Sequence, residues 1–207
     1  MGIKTVVHGL LCLALLAGVS WADDMNPPQW RGQPGSTWQQ WEYGTDNPTP
    51  AVDCGENQYG VATMDVWPGM GQIWLSEYEG RQGVWPLSGA LEAGIPNNPV
   101  QNPYKEIWVQ VTWAPQVPRV EPLVSAMLSV EDLNWYESEL VAEEALDGPW
   151  THSTYRILIE PNPAFEIVRV EGGILVDEVV IDTICVPEPA TMSLLGLGAL
   201  ALVRRRR

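Results

Sequence analysis

Carboxylates are the most abundant reactive groups in this chain. Glu77 and Glu79 stand two apart in a presumed strand and so share one face, about 7 Å apart by strand geometry. Paired acids at such a spacing serve glycoside hydrolysis. Glu143-Glu144 and Glu137/Glu139 form similar pairs. With 26 Asp and Glu in 207 residues, pairs arise throughout, and none stands out as a site. Other catalytic systems are sparser. His152 is the one histidine outside the N-terminal apolar stretch, which excludes multi-histidine zinc sites and leaves a Ser-His-Asp triad a single base. In Thr151-His152-Ser153 it is expected to be a partly exposed residue at a strand start. Phosphate-cradling glycine loops and nucleophile elbows are absent.

Tryptophan is the second excess, with eleven Trp against one Phe. Indole faces stack on the apolar faces of sugar rings, and a neighbouring amide or hydroxyl group fixes orientation. Trp108, Gln110 and Thr112 alternate on one strand face and are the candidate glycan-binding set. Trp113 and Trp150 are expected in the core. Trp38 and Trp41, three apart in a presumed strand, should point to opposite faces. Calcium is a weaker candidate, as a structural ion on Asp177, Glu178 and Asp182 with Asp46 or Asp53. No EF-hand loop accompanies these acids, and a solvated acidic surface is the competing reading. No other cofactor is indicated. The formal charge of −15 argues against nucleic acid, whose phosphates would be repelled.

These residues must be positioned by strands. Gly and Pro punctuate short apolar runs evenly along the chain, the pattern of an all-β domain rich in turns. Strands are expected at 37–43, 59–66, 73–78, 84–88, 106–114, 123–130, 153–160, 165–171 and 174–184. The parity is clearest in the fifth. Ile107, Val109, Val111 and Trp113 share the inward face, as do Tyr155, Ile157 and Ile159 of the seventh. Residues 131–146 fit a short helix or a strand equally: the residues favour helix, but no apolar stripe runs through them. Strands without βαβ alternation indicate an antiparallel sandwich.

Both ends carry export signals. Residues 1–22 read as a secretory signal, with Lys4 as its positive region, an apolar run from Val6 to Val19, and cleavage after Ala22 in Ser20-Trp21-Ala22. At the other end stand Pro187-Glu188-Pro189, an apolar stretch from Met192 to Val203, and Arg204-Arg205-Arg206-Arg207. The arginines would stop translocation and remain cytoplasmic, while the stretch is short for a lasting span of a ~30 Å hydrocarbon core. Trimming both ends leaves 23–186, with six Lys and Arg against 25 Asp and Glu, a formal charge of −19. Cys54 and Cys185 then remain as an even pair in an oxidising compartment. A disulfide between them is expected to stabilise by roughly 3–5 kcal/mol; the alternative is two separate free thiols.

The order of motif, apolar run and arginine cluster resembles the PEP-CTERM sorting tail of bacteria that make extracellular polysaccharide. That resemblance implies processing near Pro187–Pro189 by an exosortase, a membrane protease-transpeptidase that supplies its own cysteine nucleophile. In the last third, Trp150 opens a strand, Pro161-Asn162-Pro163 turns it, and Gly172-Gly173 precedes Ile174-Leu175-Val176-Asp177-Glu178-Val179-Val180-Ile181. This run is similar to the closing strands of galactose-binding-like jelly rolls, the fold of many carbohydrate-binding modules.

The expectation is therefore an all-β antiparallel sandwich of jelly-roll type at 23–186, between an N-terminal signal helix (1–22) and a sorting tail (187–207) with a short hydrophobic helix. Its partners would be the Sec machinery, an exosortase and exopolysaccharide, with a transient inner-membrane intermediate before release to the cell surface or matrix. The role expected is non-catalytic, binding or structural. The alternative is a secreted glycan-active enzyme using paired carboxylates.

Overall fold

Period-two alternation is realised in two antiparallel sheets packed face to face. The computed structural model describes residues 24–100, 102–118, 120–129 and 132–186. Ala22 and its signal, the motif Pro187, Glu188 and Pro189, and the arginines Arg204, Arg205, Arg206 and Arg207 lie outside the described residues.

Among the described residues thirteen strands follow in chain order: β1 (Ser36–Trp41), β2 (Cys54–Glu56), β3 (Thr63–Trp67), β4 (Leu75–Tyr78), β5 (Arg81–Leu87), β6 (Ala90–Pro96), β7 (Tyr104–Pro115), β8 (Leu123–Ser129), β9 (Asp132–Glu137), β10 (Glu139–Ala145), β11 (Thr151–Ile159), β12 (Phe165–Glu171) and β13 (Ile174–Val186). One sheet has eight strands, in the order β10-β11-β7-β13-β1-β2, with β5 and β4 joining along the start of β13. The other has five, in the order β3-β6-β12-β8-β9. No helix is present among the described residues, and none there could cross a membrane.

The inward parity holds. Ile107, Val109, Val111 and Trp113 of β7 and Tyr155, Ile157 and Ile159 of β11 are buried against Met64, Leu91, Ile95, Val168 and Val170 of the five-stranded sheet. Burying that much apolar side chain, at roughly 25 cal/mol per Å², is what fixes the register. A one-residue slip would turn each strand's apolar set toward solvent. At one end of this core Lys105 of β7 reaches across to Glu166 of β12, Nζ to Oε1 2.5 Å, with both side chains fully buried. Burial raises the Glu166 carboxyl pKa to about 7 against the pull of Lys105, and lowers that of Lys105 against the pull of Glu166.

Several expectations are corrected. Within 131–146 the strand alternative holds, as β9 (132–137) and β10 (139–145), and the chain crosses from one sheet to the other at Ser138 between them. β6 was unforeseen because Ala90, Ala93, Gly94 and Pro96 carry little strand preference. Its register is imposed by β12 on one side and β3 on the other.

The expected disulfide is absent: Cys54 is an exposed free thiol and Cys185 a buried one. Cys54 pairs with Gln40, whose other neighbour is Val180, and Cys185 lies five residues beyond Val180 on β13. Strand spacings put the two Cα atoms about 19 Å apart, far beyond the roughly 7 Å that a bridge can span.

Candidate functional site

The two outer faces of the sandwich differ in what covers them. On the eight-stranded sheet, residues 24–31 lie across the centre. Gln110 is buried, accepting the Asn26 backbone N–H at 2.8 Å and donating to Asp24 Oδ1 at 2.7 Å. Its Oε1 is also 3.1 Å from His152 Nε2, and His152 Nδ1 is 3.0 Å from the Thr112 hydroxyl. Since Gln110 Oε1 can only accept, Nε2 carries the proton and Nδ1 accepts from Thr112. His152 is thus buried in β11, not exposed at a strand start as its neighbours suggested.

Arg31 anchors this strap. Its guanidinium binds both carboxylate oxygens of Asp182, Nη2 to Oδ2 at 2.6 Å, pairs with Asp24, and lies over the Trp38 ring at 4.9 Å. Asp182 has no exposed side-chain surface, and burial lifts its pKa to about 6 despite Arg31. Trp108 is half-buried in the same row, its indole N–H bound to Glu106 at 2.7 Å. The three residues singled out for glycan binding, Trp108, Gln110 and Thr112, are therefore brought together, but the polar groups that would orient a sugar are already engaged. Trp38 and Trp41 do face opposite ways, Trp38 beneath Arg31 and Trp41 fully buried.

The acids do not assemble as anticipated. Asp182 is held by Arg31, and Asp177 pairs with Arg81 at 3.0 Å. Among the described residues no cluster of three or more His, Cys, Asp and Glu is placed to hold a metal ion. Glu77 and Glu79 do not share a strand. Glu79 and Gly80 have φ of 46° and 83° in the turn joining β4 to β5, a mirror-image hairpin turn that redirects the chain between them. Glu143 and Glu144 are consecutive in β10 and point to opposite sides, Glu143 accepting from Ser153 at 3.1 Å. Glu137 and Glu139 end one strand and begin the next, in different sheets.

Among the described residues, the outer face of the five-stranded sheet exposes Asp65, Trp67, Leu123, Trp135, Glu137 and Phe165. Cross-strand registers place Asp65, Glu92, Arg169, Ser125 and Glu137 in one row across β3, β6, β12, β8 and β9. The row is about 19 Å long at four strand spacings. Flanking it on one side are Trp67, Ala90, Glu171 and Leu123. On the other side lie Ile167, Met127 and Trp135. Trp67 is 59% exposed and Trp135 37%. Ala90, directly opposite Trp67, is itself buried on this face.

Phe165, also exposed, lies over Gly94, where a Cβ would come within 2.8 Å of the phenyl ring. Arg169 sits at the centre, 5.4 Å over the Trp135 ring and paired with Glu171 at 2.9 Å and Glu92 at 3.6 Å. Its Nε is buried without a hydrogen-bond partner among the described residues. Beside it a cleft of about 540 Å³ opens where β9 passes into β10, lined by Trp135, Arg169, Glu171, Glu137, Ser125 and Leu140 among others.

This arrangement, an indole wall with a cation and carboxylates on a pleated platform, suits a polar ring with one apolar face. Trp67 and Trp135 are two of the eleven tryptophans, and no motif in the sequence singles them out. Trp135 falls in 131–146, where the helix-or-strand ambiguity left its face undetermined. The period-two exposure of Arg169 between buried Val168 and Val170 was the signal available.

No curated protein and no solved structure matches this chain. Residues 186–207 match the PEP-CTERM protein-sorting motif, and that match supports an exported protein processed by an exosortase.

Proposed function

We propose that this is an exported, non-catalytic surface or matrix protein that binds exopolysaccharide through the outer face of its five-stranded sheet. The observation that carries the binding role is the exposure of Trp67, Trp135 and Phe165 on that one face, with Trp135 lining the cleft at Arg169. Export through the Sec machinery, removal of 1–22, a passing inner-membrane stage and cleavage near Pro187–Pro189 rest on the match at 186–207 together with the N-terminal signal.

A jelly-roll topology is supported by strand order. β1-β13-β7-β11 in one sheet and β6-β12-β8-β9 in the other alternate between layers as the chain proceeds, except at the β8–β9 hairpin, as two interlocked Greek keys do. No cofactor is needed for this role.

The test is co-sedimentation of the mature protein with polysaccharide from its host, alongside its intact mass. Retention on the polysaccharide without shortening it, and a mass lacking both ends, is the expected result. Cleavage of the polysaccharide that a Glu137→Gln change abolishes would instead establish the glycan-active enzyme.

A further inference from the structure

We propose that the sugar polymer taken by the five-stranded face carries amino groups; this rests on the glycan-binding reading and adds the ligand's charge. The face offers four carboxylates, Asp65, Glu92, Glu137 and Glu171, against one guanidinium, Arg169. That guanidinium is already committed to Glu92 and Glu171. Asp65 and Glu137, at the two ends of the row, have no cation partner among the described residues and are exposed.

Arg169 also shows what this surface stabilises: a planar cation over the Trp135 indole, flanked by carboxylates. Cations are drawn to an indole face by its quadrupole, and the two unmatched acids can receive further ammonium groups along a polymer. Each exposed pair is weak on its own, but repeated charges on one chain add through effective concentration. A polyuronate would instead meet like charge on the face and on an exported segment with 25 acids and six bases.

The test compares three hexasaccharides on the mature protein at pH 6 and low salt: β-1,4-linked glucosamine, its N-acetylated counterpart, and polyguluronate with and without Ca²⁺. At least tenfold tighter binding of the glucosamine hexamer is expected. It should diminish on adding 0.5 M NaCl and fall at least tenfold in Trp135→Ala, which leaves every charge in place. Equal binding of the acetylated and free-amine hexamers, or tighter binding of polyguluronate under either condition, would overturn the charge selection while leaving the glycan face intact. Unchanged glucosamine binding by Trp135→Ala would assign it to general attraction by an acidic protein and overturn the proposal. Binding of none of the three would remove the glycan reading and this inference together.

Discussion

On the outer face of the eight-stranded sheet, Trp38 and Trp108 stand among Gln110, Thr112, His152 and Asp182, and the segment 24–31 closes over them. On the outer face of the five-stranded sheet, Trp67 and Trp135 stand among Glu92, Arg169, Ser125 and Glu137, and meet solvent. Both faces set tryptophans among polar residues at the same period. What separates them is the segment 24–31 and the Arg31 it carries. Arg31 pins the strap to Asp182 and turns one aromatic-polar face into interior. A row of Trp and hydrogen-bonding residues on a strand is therefore a glycan site only if no other part of the chain needs its polar groups.

The largest effect should come from breaking the covered face. Arg31→Met leaves the fully buried Asp182 carboxylate without its cation. Loss of one partner of a buried pair costs ~3 kcal/mol, so thermal denaturation should show a large fall in Tm. Binding by the folded protein at the open face should stay the same. An unchanged Tm would mean that the strap does not hold that face.

A pH dependence follows from the buried acids on the covered side and in the core. Asp182 is raised from 3.8 to about 6 and Glu166 from 4.5 to about 7. Each therefore holds its proton more tightly folded than unfolded, and raising the pH through these windows costs stability. Urea denaturation should show the protein more stable near pH 4.5 than near pH 7, and Glu166→Gln should flatten the upper part of that slope. Stability that rises over the same range would contradict the assignment.

The open face should respond in affinity more than in stability. Trp135→Ala is expected to weaken oligosaccharide binding about tenfold, or ~1.4 kcal/mol, while Tm moves little. Trp108→Ala should do the reverse. Calorimetric titration of both variants separates the two faces.

The smallest effect concerns the cysteines. Reducing agent should leave Tm within about 0.5 kcal/mol equivalent, because no bridge is present to break. Cys54 should react with a thiol reagent in the native state and Cys185 only on unfolding, since it is buried and burial also pushes its thiol pKa up.

The fold was legible where alternation was strong. β7 and β11 bury the residues their period assigns. It was illegible where a strand borrows its conformation from neighbours, as β6 does with Ala, Gly and Pro. The candidate site was half legible. The tryptophan excess pointed to a binding surface, yet choosing among the indoles required knowing where residues 24–31 lie. That placement depends on the long-range Arg31–Asp182 pair, separated by 151 positions, which no local pattern announces. Cysteine parity misled for a related reason: an even count in an oxidising compartment says nothing of the register that separates Cys54 from Cys185.

The most direct measurement follows the indole N–H resonances of the mature protein by two-dimensional NMR while a glucosamine hexasaccharide is added. Trp135 and Trp67 should shift in a saturable way, while Trp38, beneath Arg31, and Trp108, bound to Glu106, stay fixed. Saturable shifts of Trp108 and Trp38 with Trp135 unmoved would place the ligand on the other sheet and contradict the assignment of the open face.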